Sequence, residues 1–312
     1  MRRPYRQHYG DGNYQALAFP SSVIDPGTMK RVGGARRWSR RQIALLALLA
    51  CVVPVVAKAW HDTMADPVVN RTSVALRGLD PADAPLTIAL LSDIHVAGPD
   101  MPPERLERIV AKVNALKPDL VLIAGDLVSE KRTATHIYTP QEVVAPLGAL
   151  RAPLGVFVVP GNHDHWFDLP ALSRELQRRR IRLLANEAVQ TGPLVVGGLD
   201  DAYTGAADLP MTLAAMDRLE GARIVFGHSP DTFPQVPSSV PLMFAGHTHC
   251  GQIAYPWGGA PAQLSNYGDR YGCGRIDEDG KTLVVGAGLG TSLIPVRLFT
   301  HPEIWLIELR AK

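Results

Sequence analysis

The chain has 312 residues, 46% of them hydrophobic and 20% charged, and a net charge of +2. This is the composition of a globular protein of one or two domains, and the overall charge points to no polyionic partner. The charge is unevenly spread. Residues 1–41 hold nine Lys or Arg against only Asp11 and Asp25. The remainder is mildly acidic, which argues against nucleic-acid binding by the folded part.

The basic tail, residues 1–42, has no apolar periodicity and reads as disordered. Residues 43–59 follow as a signal or transmembrane segment. Its core, Ile43 to Ala57, is fifteen residues without a charge, interrupted by Pro54. That is short for a spanning helix, which needs about 20 apolar residues, and it suits a signal-peptide core. Arg40 and Arg41 stand directly before it, as in a twin-arginine export signal. Ala57-Lys58-Ala59 after it suits signal peptidase. The alternative is an uncleaved anchor with its Arg-rich end in the cytoplasm. Both readings put the C-terminal part on the exported side, in the periplasm or at the outer face of the inner membrane. Three cysteines are present. In an exported domain Cys250 and Cys273 either form a bridge or remain two buried thiols.

Residues 60–85 read as a linker and a first strand, Thr72 to Leu76. From 86 to 312 the pattern is that of an α/β domain. Thr87 to Leu91 is a short apolar run suited to a buried strand. A helix follows, opened by Pro102 and Pro103, with Leu106, Ile109, Val110, Val113 and Leu116 on one face. Pro118 stops it, and Leu120 to Ala124 is the next strand, so the two strands are expected to be parallel. Further strands are read at Gly155 to Val159, Leu194 to Gly198, Arg223 to Phe226, Leu242 to Phe244, Leu283 to Val285 and Ile304 to Leu309. Helices are read at Leu169 to Arg180 and Leu209 to Leu219. Strands with interspersed helices imply an α/β sandwich.

Five of these strands run into residues that bind metals. They are Asp93-Ile94-His95, Gly125-Asp126, Gly161-Asn162-His163-Asp164, Gly227-His228 and Gly246-His247-Thr248-His249. Five of the ten histidines fall in these blocks. Ligands gather at the carboxyl ends of strands in α/β sheets. Imidazole combined with carboxylate suits Zn²⁺, Fe²⁺ or Mn²⁺. A pair of such ions needs one shared carboxylate and clamps both oxygens of an in-line phosphoryl displacement. Each block alone is a weak signal, whereas the ordered set is not.

The set resembles the calcineurin-like metallophosphoesterase superfamily over about residues 86–310. The block from Gly246 to Gln252, with Gly288-Leu289-Gly290-Thr291-Ser292 and Pro295-Val296-Arg297, resembles its bacterial membrane-associated or exported branch. Some relatives there hydrolyse the pyrophosphate of UDP-2,3-diacylglucosamine in lipid A synthesis. The resemblance implies a four-layer α-β-β-α sandwich of two mixed sheets. It implies that Asp93, His95 and His249 hold one divalent ion, that Asn162, His228 and His247 hold a second, and that Asp126 bridges them. A hydroxide shared by the ions would attack phosphorus, with His163 as the catalytic residue that stabilises charge or protonates the leaving oxygen. Two departures stand out. Ser129 occupies the position where many relatives place an aspartate that orients the histidine, so Asp164 or another group must do so here. Asp164 itself stands where relatives often carry Glu.

The resulting expectation is a metal-dependent phosphoesterase acting on a phosphodiester or pyrophosphate, with a phosphate-ester or nucleotide-lipid substrate. One alternative is a UDP-2,3-diacylglucosamine-type pyrophosphatase at the cytoplasmic face of the inner membrane. Another is a non-catalytic metal-binding scaffold. Asp200 and Asp201 read as a loop turn. Arg297 reads either as a phosphate contact or as a structural ion pair. Trp166, Tyr255 and Trp257 read as rim or packing residues.

Overall fold

The structure, a computed structural model, describes residues 38–312. The basic tail expected to be disordered lies outside these residues, apart from its last few. The chain divides into two units at residues 49 and 50, the first of which is described only from residue 38.

A single helix, α1 (Arg40–Met64), begins in the first unit. Its start is fixed by a reciprocal cap: Gln42 N–H donates to Ser39 Oγ, and Ser39 N–H donates to Gln42 Oε1. The helix runs through Pro54 for 25 residues. At 1.5 Å per residue it is about 37 Å long. The charge-free run was read as short for a span; the helix extends it at both ends and exceeds a hydrocarbon core of about 30 Å. Ile43, Leu45, Leu48, Val53 and Val56 are exposed along it. Residues 60–64, read as linker, are its last turn. In the larger unit that turn is buried at Ala59, Asp62 and Thr63. Thr63 Oγ1 accepts from Arg297 N, Asp62 accepts from Phe299 N, and Arg105 donates to the carbonyls of Thr63 and Ala65.

The rest of the larger unit is two six-stranded sheets. The first contains β1 (Val68–Leu76), β2 (Leu86–Leu91), β3 (Leu120–Ala124), β4 (Val156–Val159), the short β5 (Arg182–Leu183) and β12 (Glu303–Ala311), in the order β1-β12-β2-β3-β4-β5. The second contains β6 (Glu187–Thr191), β7 (Leu194–Gly198), β8 (Ala222–Phe226), β9 (Leu242–Ala245), β10 (Gly274–Glu278) and β11 (Lys281–Val285), in the order β10-β11-β9-β8-β7-β6. β2, β3 and β4 are parallel, as are β7, β8 and β9, while β12 against β2, β10 against β11 and β6 against β7 are antiparallel. Both sheets are therefore mixed. β1 starts at Val68, four residues before the expected strand, because it pairs with β12 along its full length.

Alternation within the strands shows the layering. Ile88 and Leu90 of β2, Leu120 and Leu122 of β3, and Ile224 and Phe226 of β8 pack in one core between the sheets. Their neighbours Ala89, Leu91, Val121 and Ile123 face a second core under α2 (Pro103–Ala115), α3 (Pro140–Val144) and α5 (Leu169–Arg178). Val225 and Val195 face a third core, under α6 (Leu209–Met216). A strand buried on both faces needs a continuous apolar run, which is how these strands read. The architecture is the expected four-layer sandwich.

Candidate metal centre

The parallel order of β2-β3-β4 and of β7-β8-β9 sends their carboxyl ends to one edge of the sandwich. Asp93 and His95 follow β2, Asp126 follows β3, and His228 and His247 follow β8 and β9. Asn162 and His163 open the one-and-a-half-turn helix α4 (Asn162–Phe167) directly after β4. All eight residues singled out in the sequence meet there, and none is more than 7% exposed.

The backbone turns sharply where each strand ends. Asp93, His95, Asp126, His247 and His249 all have φ between 47° and 71°. This left-handed region is costly for side chains larger than glycine, by about 1–3 kcal/mol each, and persists where surrounding structure imposes it. Two neighbouring glycines serve a different purpose. A Cβ at Gly161 would collide with the Asp126 carboxylate, and one at Gly246 with that of Asp93. Gly161 and Gly246 make room, whereas Gly125 shares the left-handed turn with Asp126.

Two overlapping groups of donors result. Asp93 Oδ1 lies 3.4 Å from His249 Nε2, which lies 3.0 Å from His95 Nε2. His228 Nε2 lies 3.2 Å from Asn162 Oδ1 and 3.1 Å from His247 Nδ1. Asp126 Oδ2 is shared, 3.5 Å from His95 Nε2 and 3.2 Å from His228 Nε2. His95 Nδ1 donates to the Val128 carbonyl and His228 Nδ1 to that of Ala124, at 3.1 and 2.8 Å. That leaves each Nε2 lone pair aimed into the cluster, the usual arrangement behind a metal-binding imidazole. Around His228 Nε2 stand an Asp126 oxygen, Asn162 Oδ1 and His247 Nδ1, a donor-atom set that suits a cation. Asp93, His95 and His249 gather as one potential cation site, and Asp93, Asp126 and His228 as another. The donor set fits divalent ions.

Electrostatics agree. Burial pushes the Asp93 carboxyl up to about 6, and nearby Asp126 adds to this. Burial likewise holds His95 and His249 far below the ordinary imidazole range, and takes His247 down to about 3. These are neutral rings, as metal ligands must be. Burial also opposes charge on His228, yet Asp126, Asp93 and Asp201 outweigh it and raise the ring to about 10. A proton there offsets carboxylates that a cation would otherwise neutralise.

His163 also gathers with His95 and Asp126 in a third such group of donors, but its Nδ1 is committed elsewhere. Its Nδ1 meets Glu130 Oε2 at 2.8 Å and Oε1 at 3.0 Å, and its Nε2 lies 3.4 Å from Ser292 Oγ. Burial disfavours its charge, but Glu130 and Asp126 more than compensate, and its pKa is raised. Asp164 does not orient this histidine. Its carboxylate accepts from the backbone N–H groups of Leu127, Val128 and Gly161, pinning the β3 turn to the β4 turn. Glu130 was not singled out in the sequence. The available signal was a carboxylate one residue beyond the non-carboxylate Ser129. Asp201 accepts from Thr204 N in a turn, as expected, whereas Asp200 pairs with His165 at 2.6 Å. Arg297 makes no ion pair among the described residues, and its Nη2 lies 3.5 Å from His249 Nδ1. It is fully buried and donates to the carbonyls of Ala287 and Gly290. Trp166 and Tyr203 line the mouth of a 540 Å³ pocket above the cluster, with Glu130, Lys131, Arg132 and Leu293.

The family sequence model for calcineurin-like phosphoesterases matches residues 86–251, which span every one of the converging strand ends. The chain belongs to this family. A metallophosphoesterase of Helicobacter pylori strain J99 is 30% identical over 263 residues, covering 82% of this chain and 67% of its own length. The Bacillus subtilis metallophosphoesterase YkuE is 32% identical over 216 residues, covering 67% and 73%. A Bos taurus protein named as a transmembrane protein with a metallophosphoesterase domain is 30% identical over 296 residues, covering 87% and 64%. As a calcineurin-like phosphoesterase the chain is a hydrolase acting on phosphate esters. Its donor cluster is a divalent-metal site, and α1 is long and apolar enough to cross a membrane.

Proposed function

We propose that this phosphoesterase cleaves a phosphodiester or pyrophosphate bond over a two-metal centre, with Asp93, His95 and His249 holding one ion, Asn162, His228 and His247 the other, and Asp126 shared. The observation that carries this is the single Asp126 oxygen within 3.5 Å of an imidazole nitrogen of each group. Bound ions would polarise the phosphate oxygens and lower the pKa of water. The chain's own residues do the rest. The buried walls exclude bulk water. His163, charged through its contact with Glu130, donates a proton to the leaving oxygen from Nε2, the nitrogen not held by Glu130.

The test is hydrolysis of bis-p-nitrophenyl phosphate by the full chain with Mn²⁺, with EDTA, and in Asp126→Asn. The expected result is turnover that EDTA abolishes and that the variant loses by at least about 10³-fold, because one substitution disturbs both groups. Metal binding at two ions per chain with no turnover would favour a scaffold instead.

We further propose that the folded domain lies outside the cytoplasm on a retained anchor. Cys250 and Cys273 are bridged, which suits an oxidising compartment. The Arg-rich flank suits a cytoplasmic N-terminus. Ala57-Lys58-Ala59 lies within α1, and the Ala59 carbonyl accepts from Thr63 Oγ1 in a buried turn, which protects it from a peptidase that needs extended chain. A C-terminal alkaline phosphatase fusion should be active and should sediment with membranes after carbonate washing. An inactive fusion would put the domain in the cytoplasm, and a soluble one would mean cleavage.

A further inference from the structure

A second cavity, of 370 Å³, opens beside the metal pocket. Ile253, Pro261, Ala262, Leu264, Leu293 and Ile294 make most of its wall, with His249, Gln252 and Ser292 on the side nearest the metal pocket. Leu264, Ser292 and Leu293 also line the metal pocket, so the two spaces share a wall and form one trough. One end is polar and holds the donor cluster; the other touches that cluster through His249 and Ser292 and is otherwise mostly apolar.

This apolar end is built and held open. Gln252 Oε1 accepts from Ser292 N, and its Nε2 donates to the carbonyls of Ile294 and Val296 at 3.1 and 3.0 Å. The 292–296 wall is thereby fixed to the strand-end loop that carries His247 and His249. Yet Leu293 is 75% exposed, and Ile294 and Leu264 are also exposed. Apolar side chains held at a cavity mouth mark a binding surface. In the same loop, outside the groove, Tyr255 and Trp257 stack with ring centroids 5.3 Å apart, and Trp257 is 81% exposed. Exposed Trp and Tyr of this kind are enriched where protein meets lipid headgroups.

The wall also leads to the membrane segment. Arg297 and Phe299, directly after it, bond through their backbone N–H groups to Thr63 and Asp62 at the end of α1. The residues just upstream in α1, Val52, Val53, Val55 and Val56, are exposed and apolar. The groove is thus fastened to the segment that enters a bilayer, which favours an occupant from that bilayer over one from solution.

We propose that this groove receives the alkyl chain of an amphiphilic phosphate ester drawn from the membrane, while its phosphate sits over the donor cluster. The proposal rests on the phosphoesterase reading for its headgroup, on the groove for its chain, and on the retained anchor for the membrane as its source. The full chain in phosphatidylcholine vesicles is mixed with a dodecyl methyl phosphodiester carrying a diazirine at the chain end. It is irradiated without metal, and the labelled peptides are mapped. Label within residues 251–264 and 292–296 is expected; label confined to α1, or label on neither segment, overturns the groove. With Mn²⁺, p-nitrophenyl dodecyl phosphate should be cleaved with kcat/KM at least tenfold above p-nitrophenyl methyl phosphate, the effect of burying about two methylenes. Ile294→Asp should bring that ratio towards one. Equal turnover of both esters overturns the groove and leaves the phosphoesterase reading intact. Groove labelling with turnover of neither ester does the reverse.

Discussion

Glu130 shows how a single residue can move a function by one position. Ser129 cannot hold an imidazole proton as a carboxylate does, and the next side chain reaches back to do so. An imidazolium held this way is stabilised by a charge-assisted contact. Because the carboxylate raises the pKa of His163, the acid form survives to higher pH than in free imidazole. Glu130→Gln should therefore shift the alkaline limb of the kcat/KM profile to lower pH. It should cost about 10–100-fold on esters with poor leaving groups and little on p-nitrophenyl esters, which need no proton. An unshifted limb and a uniform loss across leaving groups would reduce Glu130 to a packing role. The positive-φ ligands belong to the same scale. Strain of about 1–3 kcal/mol at each of five residues is tolerated because the buried contacts around them leave no other conformation.

Among the elements, the strand ends position the site, and the loop after β9 is the most constrained of them. His249 precedes Cys250, which is bridged to Cys273 across 23 residues, and Thr248 Oγ1 donates to the Gly272 carbonyl at 2.7 Å. Closing a loop of this size in the unfolded chain is worth about 3 kcal/mol. The double variant Cys250→Ser with Cys273→Ser should lower stability by roughly that amount. It should also weaken metal retention in dialysis, since His249 loses its fixed neighbour. Unchanged metal content with a lowered melting temperature would separate the bridge from the site. α1 is equally composite. Its cap and apolar run are local, whereas its last turn is held by Arg105, Arg297 and Phe299, which are distant in sequence.

At the scale of the whole molecule, the donors of two sheets share one cluster, so a bound cation ties the sheets together. An ion that binds only the folded state at a hundred times its Kd adds about 2.7 kcal/mol. For a domain of this size that is a rise in Tm of about 5–10 °C. EDTA should reverse it in a thermal melt. The sign with pH follows from the ligands: protons compete for Asp93, raised to about 6, and for the imidazoles, so the metal-dependent increment should shrink as pH falls through about 6. An increment constant from pH 8 to 5 would place the bound ion elsewhere.

The ordered blocks of Asp, Asn and His, each after an apolar run, determined the family, the layered α/β architecture and the eight residues that meet at the strand ends. They could do so because a strand buried on both faces and a ligand at its end are local patterns, written in a few consecutive residues. The tertiary structure decided what local patterns cannot hold. It joined β1 to β12, chose the bridge over two free thiols for Cys250 and Cys273, and set Glu130, not Asp164, against the His163 ring. It also turned Arg297 into a buried brace and set an apolar groove beside the metals. Each of these depends on groups far apart in the chain meeting at a few ångströms, a distance fixed by the packing of two sheets and not by any segment alone.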